Sequence, residues 1–194
     1  MSEKSVLAIL GGPHVNGITA AMLDCAIQVA EKKGYTVTRI NLYEKKISFC
    51  SGCNACMNTH ICVKQDDIQE IERFMSECQL VLLATPVYWA NVPAAVKNMF
   101  DRLRGTAMEE TSTFPKPHLR GKKYMLLTSC NTPAPFSWIC GQSRGAIRSI
   151  DEFFKTAGMK PIGKIVCAGT RTKKNVPKRT AAKIERCFGP KVVQ

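Results

Sequence analysis

No apolar stretch in this 194-residue chain exceeds five residues, the run Leu80 to Ala84 being one of that length. A membrane-spanning helix needs about 20, so none is expected, and Met1 to Lys4 lead into a strand-like run without a signal-peptide pattern. A soluble, cytoplasmic protein is expected. Internal repeats and low-complexity tracts are missing as well. So are the Gly-Lys-Ser/Thr of a Walker loop and a Gly-x-Gly-x-x-Gly fingerprint, and any helix-turn-helix, zinc-finger or RNP-type signature. Acidic residues are few: 15 Asp and Glu face 28 Lys and Arg, a formal charge of +13. From Lys155 to Gln194 eleven basic residues meet a single acid, Glu185. Such a surface attracts polyanions or simply keeps the protein solvated; with no matching motif, nucleic acid is not an expected partner.

What is present is ordinary globular material, 45% hydrophobic and 22% charged, in a length that suits one domain with a substantial core. Ser5 to Leu10 is nearly all apolar and ends in Gly11 and Gly12, the pattern of a strand buried on both faces of a parallel sheet. Helical spacing from Thr19 to Lys33 closes at Gly34, and Tyr35 to Leu42 reads as a second strand. After an irregular segment, Asp66 and Asp67 cap a short helix bearing Ile68, Ile71, Phe74 and Met75. Gln79 to Thr85 is a third strand, followed by a helix opened by Pro93 and carrying Val96, Met99, Phe100 and Leu103. Lys123 to Ser129, a helix over Gly145 to Thr156, Lys164 to Ala168 and a last helix from Pro177 complete the alternation. Five strands alternating with five helices make a doubly wound α/β protein. Two linkers are long, the cysteine-rich loop 47–64 and the loop 105–121, and unstructured loops of that length are usually functional or mobile.

Ligands of such sheets bind beyond the carboxyl ends of the strands. The loop after the first strand, Gly11 to Thr19, combines glycines with small polar groups at a helix start and suits a phosphate; a Gly-rich turn also serves steric ends alone. Tyr88 and Trp89 follow the third strand and either cover a flat heterocycle, close a subunit interface or cap the core. Cys50-x-x-Cys53-x-x-Cys56, with Cys62 following, is the sharpest signal among ten cysteines. Two-residue gaps let thiolates converge from a tight loop, as in ferredoxin-type [4Fe-4S] runs; zinc, which usually takes two separated pairs, and free redox-active thiols are the other readings. His60 within the run reads as a loop residue, and Cys25, Cys78, Cys167 and Cys187 as small core hydrophobes. Cys130 and Cys140 flank the loop after the fourth strand.

These residues resemble the NADPH-dependent FMN reductase superfamily of flavodoxin-like proteins, and within it the iron-sulfur flavoproteins. The resemblance runs over most of the chain and rests on three stretches. Gly12-Pro-His-Val-Asn-Gly-Ile-Thr19 is similar to the family's Gly-Ser-Pro-Arg-x-x-Gly-Asn-Thr phosphate loop, with His14 in place of the usual Arg and Ile18 where Asn is frequent. The cysteine run is followed by Asp66-Asp67. Thr85-Pro-Val-Tyr-Trp89 is followed by Pro93 and Phe100-Asp-Arg102.

The resemblance implies a single flavodoxin-like domain over 1–194 with strand order 2-1-3-4-5, binding FMN. The phosphate would fall to Gly12, Pro13, His14, Asn16, Gly17, Ile18 and Thr19. The isoalloxazine would lie along Thr85, Pro86, Val87, Tyr88 and Trp89, with Ser129, Cys130, Asn131 and Thr132 on its other side. It further implies a [4Fe-4S] cluster on Cys50, Cys53, Cys56 and Cys62, and a homodimer or homotetramer. Electrons would pass from a ferredoxin-like donor, drawn by the basic face, through cluster and flavin to a small acceptor such as oxygen, peroxide or a quinone. The rival expectations are a cluster-free NAD(P)H-dependent flavin, quinone or nitroaromatic reductase, and a redox carrier or sensor without turnover of its own.

Overall fold

The computed structural model describes residues 4–189. In chain order the elements are β1 (Ser5–Leu10), α1 (Ile18–Lys32), β2 (Thr36–Asn41), α2 (Cys56–Thr59), α3 (Ile68–Glu77), β3 (Leu80–Pro86), α4 (Ala94–Arg102), α5 (Arg104–Ala107), β4 (Met108–Glu109), β5 (Lys116–Pro117), β6 (Lys123–Cys130), α6 (Phe136–Ile139), α7 (Gln142–Thr156), β7 (Lys160–Ala168) and α8 (Lys178–Cys187). Five strands form one parallel sheet in the order β2-β1-β3-β6-β7. Counted along that sheet this is the expected flavodoxin order 2-1-3-4-5. The interior strands β1, β3 and β6 are almost wholly buried because helices cover both faces, which is why they read as continuous apolar runs. On one face Leu7, Ile9 and Leu83 pack with Ile71, Met99 and Phe154; on the other Ala8, Leu10 and Leu82 pack with Met22, Leu23 and Ile184.

Five expectations need correction. The strand expected over Lys164 to Ala168 begins at Lys160. β7 is the outer strand, and its exposed Lys160 and Pro161 hide the apolar signal while discouraging edge-to-edge pairing. The helix expected from Gly145 starts at Gln142, after a left-handed Gly141. The segment 105–121 is not a bare loop, since it holds most of α5 and the antiparallel β4–β5 hairpin. Cys25 and Cys187 are half-buried rather than core residues, whereas Cys78 and Cys167 are buried. Of the two aspartates expected to cap α3, Asp66 accepts the Ile68 N–H at 3.1 Å, while the Asp67 carboxylate turns to the Lys46 N–H at 2.6 Å.

Two polar features of the core have measurable consequences. Tyr124 donates its hydroxyl to Asp151 Oδ1 at 2.6 Å, and Asp151 also pairs with Lys155 and Lys164 at 2.7 and 2.5 Å. Burial and this bond to a carboxylate push the Tyr124 phenol well above its ordinary pKa. By contrast, Thr128 Oγ1 is fully buried without a hydrogen-bond partner. Thr128→Val keeps the shape and removes that stranded hydroxyl, so it is expected to raise unfolding free energy by about 1 kcal/mol. A urea midpoint at or below that of the parent protein would contradict this.

Candidate functional site

The segments leaving the carboxyl ends of β1, β3, β6 and β7 are stitched together at one edge of the sheet. Gly11 donates its N–H to Ala84 O at 2.7 Å, and Val87 donates to Ser129 O at 2.9 Å. The Thr19 and Ser129 hydroxyls hydrogen-bond at 2.6 Å in a buried contact. Gly12 is required by closeness, because a Cβ there would stand 2.8 Å from Pro86 Cδ.

α1 begins at Gly17 in extended conformation, and its first closing bond runs from Ala21 N–H to Gly17 O at 3.0 Å. The amides of Ile18, Thr19 and Ala20 therefore point out of the helix end. No acidic side chain lies in that first turn, and the helix dipole adds positive potential to it. Pro13, His14 and Asn16 are exposed above it, while Thr19 is buried and committed to Ser129. This end of α1 has the donor geometry for a phosphate.

After β3 the chain makes a two-residue turn closed on both sides, Tyr88 N–H to Asn91 O at 2.8 Å and Asn91 N–H to Tyr88 O at 2.9 Å. Its central residues, Trp89 and Ala90, have φ of 51° and 58°, a left-handed conformation that is uncommon for residues other than glycine. Backbone strain of this kind concentrates at ligand clamps. Trp89 is 100% exposed at the tip. The turn rests on α7 at Gly145, where a Cβ would come 2.2 Å from Ala90 O.

Asn131 and Thr132 follow β6 and are held by a fourth segment that sequence reasoning missed. Thr170 donates from its backbone to Cys130 O at 3.1 Å and from its hydroxyl to Asn131 Oδ1 at 3.1 Å, and Gly169 N–H reaches Thr132 O at 3.0 Å. Lys173 Nζ binds the carbonyls of Ala168 and Gly169 at 2.7 and 2.6 Å. Only the left-handed Gly169 could have flagged this segment, as a turn glycine directly after a strand. Much of the remaining basic tail lies elsewhere, Lys160, Lys183 and Arg186 lining a groove of about 940 Å³ along β7 and α8.

The cysteine segment packs beside α4 and α5. Cys50, Cys53, Cys56 and Cys62 all border one small cavity, together with Asp101, Arg102 and Arg104. Among the described residues no three His, Cys, Asp or Glu side chains close tightly enough to hold a single metal ion. Four cysteines bordering one cavity are instead the donor set of a multi-iron cluster, since each thiolate takes its own iron. The residues present fit that group. Cys50 and Cys53 are exposed, and Cys56 and Cys62 half-buried. Hydrogen bonds from the Ala55 backbone and the Ser51 hydroxyl lower the Cys53 thiol's pKa, and burial raises that of Cys56. One-turn α2 sits against Gly105, where a Cβ would be 2.5 Å from Cys56 O. The His60 ring meets His118 edge-on at 4.8 Å.

Arg102 locks this segment. The residue is 1% exposed, and its guanidinium forms a fork on Asp66 (2.8 and 3.1 Å), donates to Ser48 O (2.7 Å), Ser48 Oγ (2.9 Å) and Lys64 O (3.0 Å), and points Nε–H at Cys62 Sγ at 3.0 Å. Burial alone would raise the Asp66 carboxyl, but the bonds from Arg102 and Ser48 outweigh it and hold the carboxyl far below the usual carboxylate range. Glu72, nearly buried, accepts the Cys62 N–H at 2.9 Å, and burial pushes its carboxyl upward. A second cavity, about 590 Å³, runs from Cys50 and Gly52 past Phe100 and Phe153 to Asn91 and Val92, at the end of the aromatic turn.

Residues 5–150 match NADPH-dependent FMN reductase. The chain belongs to that family. Within it the chain is 39% identical over 97 residues to an iron-sulfur flavoprotein of Archaeoglobus fulgidus, covering 50% of this chain and 44% of the relative. It is 29% identical over 163 residues to an iron-sulfur flavoprotein of Methanocaldococcus jannaschii, covering 81% and 74%. The chain thus spans about half the length of the first of these relatives. In fold it superposes on the NAD(P)H:quinone oxidoreductase of Methanothermobacter marburgensis with a TM-score of 0.76 over 95% of this chain and 97% of the other, at 15% identity. Among the described residues no helix is long and apolar enough to cross a membrane.

Proposed function

We propose that this protein is an FMN-dependent oxidoreductase of the iron-sulfur flavoprotein kind, relaying electrons from a low-potential donor to a small acceptor such as oxygen, peroxide or a quinone. The observation that carries this reading is that four cysteines border one cavity, with a second cavity running from Cys50 to Asn91 at the end of the aromatic turn. In this reading the amides at the start of α1, with Gly12, His14 and Asn16, hold the FMN phosphate. Pro86 to Trp89 and Ser129 to Thr132 flank the ring, and Cys50, Cys53, Cys56 and Cys62 hold a [4Fe-4S] cluster. Bound together, these cofactors supply the one- and two-electron chemistry. The chain positions them: buried Thr19 and Ser129 fix the spacing of two loops, and the closed turn at Tyr88–Asn91 sets where the aromatic wall stands.

We also propose that the flavin edge is closed by further copies of this chain, as a homodimer or homotetramer. Of eleven large hydrophobic residues exposed among the described residues, all but Phe114 lie in the segments that follow β1, β2, β3 and β6, including Trp89, Phe136 and Trp138. Exposed aromatic side chains following the strands' carboxyl ends suit an interaction site. A ferredoxin-like acidic donor suits the net charge of +13, and a reducing cytoplasm suits ten free cysteines.

One observation favours a second reading, a cluster-free NAD(P)H-dependent reductase: Cys50 and Cys53 stand exposed at the rim. Iron and acid-labile sulfide measured anaerobically, with the absorption spectrum, separate the two. About four iron and four sulfide per chain, lost in Cys53→Ala while flavin bands persist, are expected. Flavin bands without iron, even after anaerobic reconstitution, would overturn the cluster and turn the reading to the reductase.

A further inference from the structure

We infer that Arg102 is a positioning residue for the cluster: through its Nε–H bond to Cys62 Sγ it presents that sulfur and raises the cluster's reduction potential, with Asp66 as the counterweight that limits the effect. The inference rests on the iron-sulfur reading above and deepens it.

Six hydrogen bonds leave this guanidinium. Those to Ser48, Lys64 and Asp66 would suffice to pin the segments on either side of the cysteine run. The sixth is different in kind, because it spends a cationic donor on a sulfur rather than on an oxygen. Its length, 3.0 Å, makes it a close contact. Cys62 is also held by a second bond, its N–H donating to Glu72 Oε1 at 2.9 Å, so backbone and sulfur of this one ligand are both fixed from outside the cysteine run. Neither Nε nor Nη of Arg102 has a bond to Cys50, Cys53 or Cys56 among those the structure shows, so the donor acts on one corner only.

Reduction of a bound cluster adds one electron from a low-potential donor, breaks no bond and moves no proton, so the site gains one negative charge. A cation hydrogen-bonded to a ligand sulfur stabilises that added charge, and hydrogen bonds to sulfur and net charge are among the main determinants of cluster potential. The site is nearly dry at this point, with the Arg102 side chain 0% and Asp66 15% exposed, so solvent screens the interaction little. Asp66, ionised across the working pH range, offsets part of the cationic charge. The pair therefore sets the potential by difference, and its two members act in opposite directions.

The test is a spectroelectrochemical titration with dithionite as reductant on anaerobically reconstituted full-length protein, with iron and sulfide content and the EPR spectrum of the reduced state. Arg102→Lys retains a cation for Asp66 but lacks the Nε–H fork; with full iron content it is expected to show a more negative potential and an altered EPR line shape. Asp66→Asn leaves the guanidinium on Cys62 and removes its counterion, so its potential is expected to move the other way. Damage to the loop would not produce opposite signs. Loaded variants with the parent potential overturn the inference, as do variants that fold and bind flavin but take up no cluster, which would confine Arg102 to loop architecture. Parent protein with flavin and no iron or sulfide would overturn the cluster reading itself, a result distinct from either.

Discussion

Arg102→Met is expected to lower unfolding free energy by about 3–5 kcal/mol, the range for removing one partner of a buried ion pair. Methionine fills much of the space but leaves Asp66 charged in a largely desolvated position, with only Ser48 and Ile68 still donating to it. It also leaves the Ser48 and Lys64 carbonyls short of a donor. The loss should depend on pH in a defined sense. Because the folded-state pKa of Asp66 is depressed, its contribution is fully present above the unfolded value of about 4 and fades as pH falls below it. Parent and variant should therefore converge in stability in acid. Urea denaturation at pH 7 and pH 3 reads both effects; a difference below about 1 kcal/mol at pH 7 would mean that water replaces the guanidinium at little cost.

Gly145→Ala is expected to weaken FMN binding at least tenfold, or about 1.4 kcal/mol, although alanine is intrinsically the better helix former by about 1 kcal/mol. The added methyl would come 2.2 Å from the Ala90 carbonyl oxygen, a backbone atom that no rotamer change can move aside. The turn from Tyr88 to Asn91 is closed by two bonds, so it must shift as a unit and carry Tyr88 and Trp89 with it. Titration of apoprotein with FMN, followed by flavin fluorescence, measures the loss. Unchanged affinity combined with higher thermal stability would show that the turn does not frame the ring.

The contrast between these residues and the strands shows what a sequence can disclose. β1, β3 and β6 announce themselves because burial on two faces writes an uninterrupted apolar run. The spacing of Cys50, Cys53 and Cys56 likewise carries its chemistry in one dimension, and the structure brings Cys62 to the same cavity. Arg102 is different: an arginine on a helix counts as polar in any periodicity, and nothing local says that it turns inward to meet Ser48, Cys62, Lys64 and Asp66 from across the fold. The close contacts at Gly105 and Gly145 were equally hidden, since each answers to a neighbour remote in sequence. Trp89 and Ala90 were readable as aromatic and small, but not as left-handed. The start of β7 was obscured by its own exposure, its first residues being those that an outer strand leaves to water.

The exposed apolar side chains and the net charge give the molecule opposed colloidal tendencies. Long-range repulsion comes from a net charge of +13, whereas ten of the eleven exposed large hydrophobic side chains follow the carboxyl ends of β1, β2, β3 and β6. Added salt shortens the repulsion to about 8 Å at physiological ionic strength and leaves the apolar attraction intact or strengthened. In the oligomer proposed above, self-association should thus increase with salt, because the repulsion is screened while the apolar contacts are not. Dilute protein in low-salt buffer is where separate chains should be found.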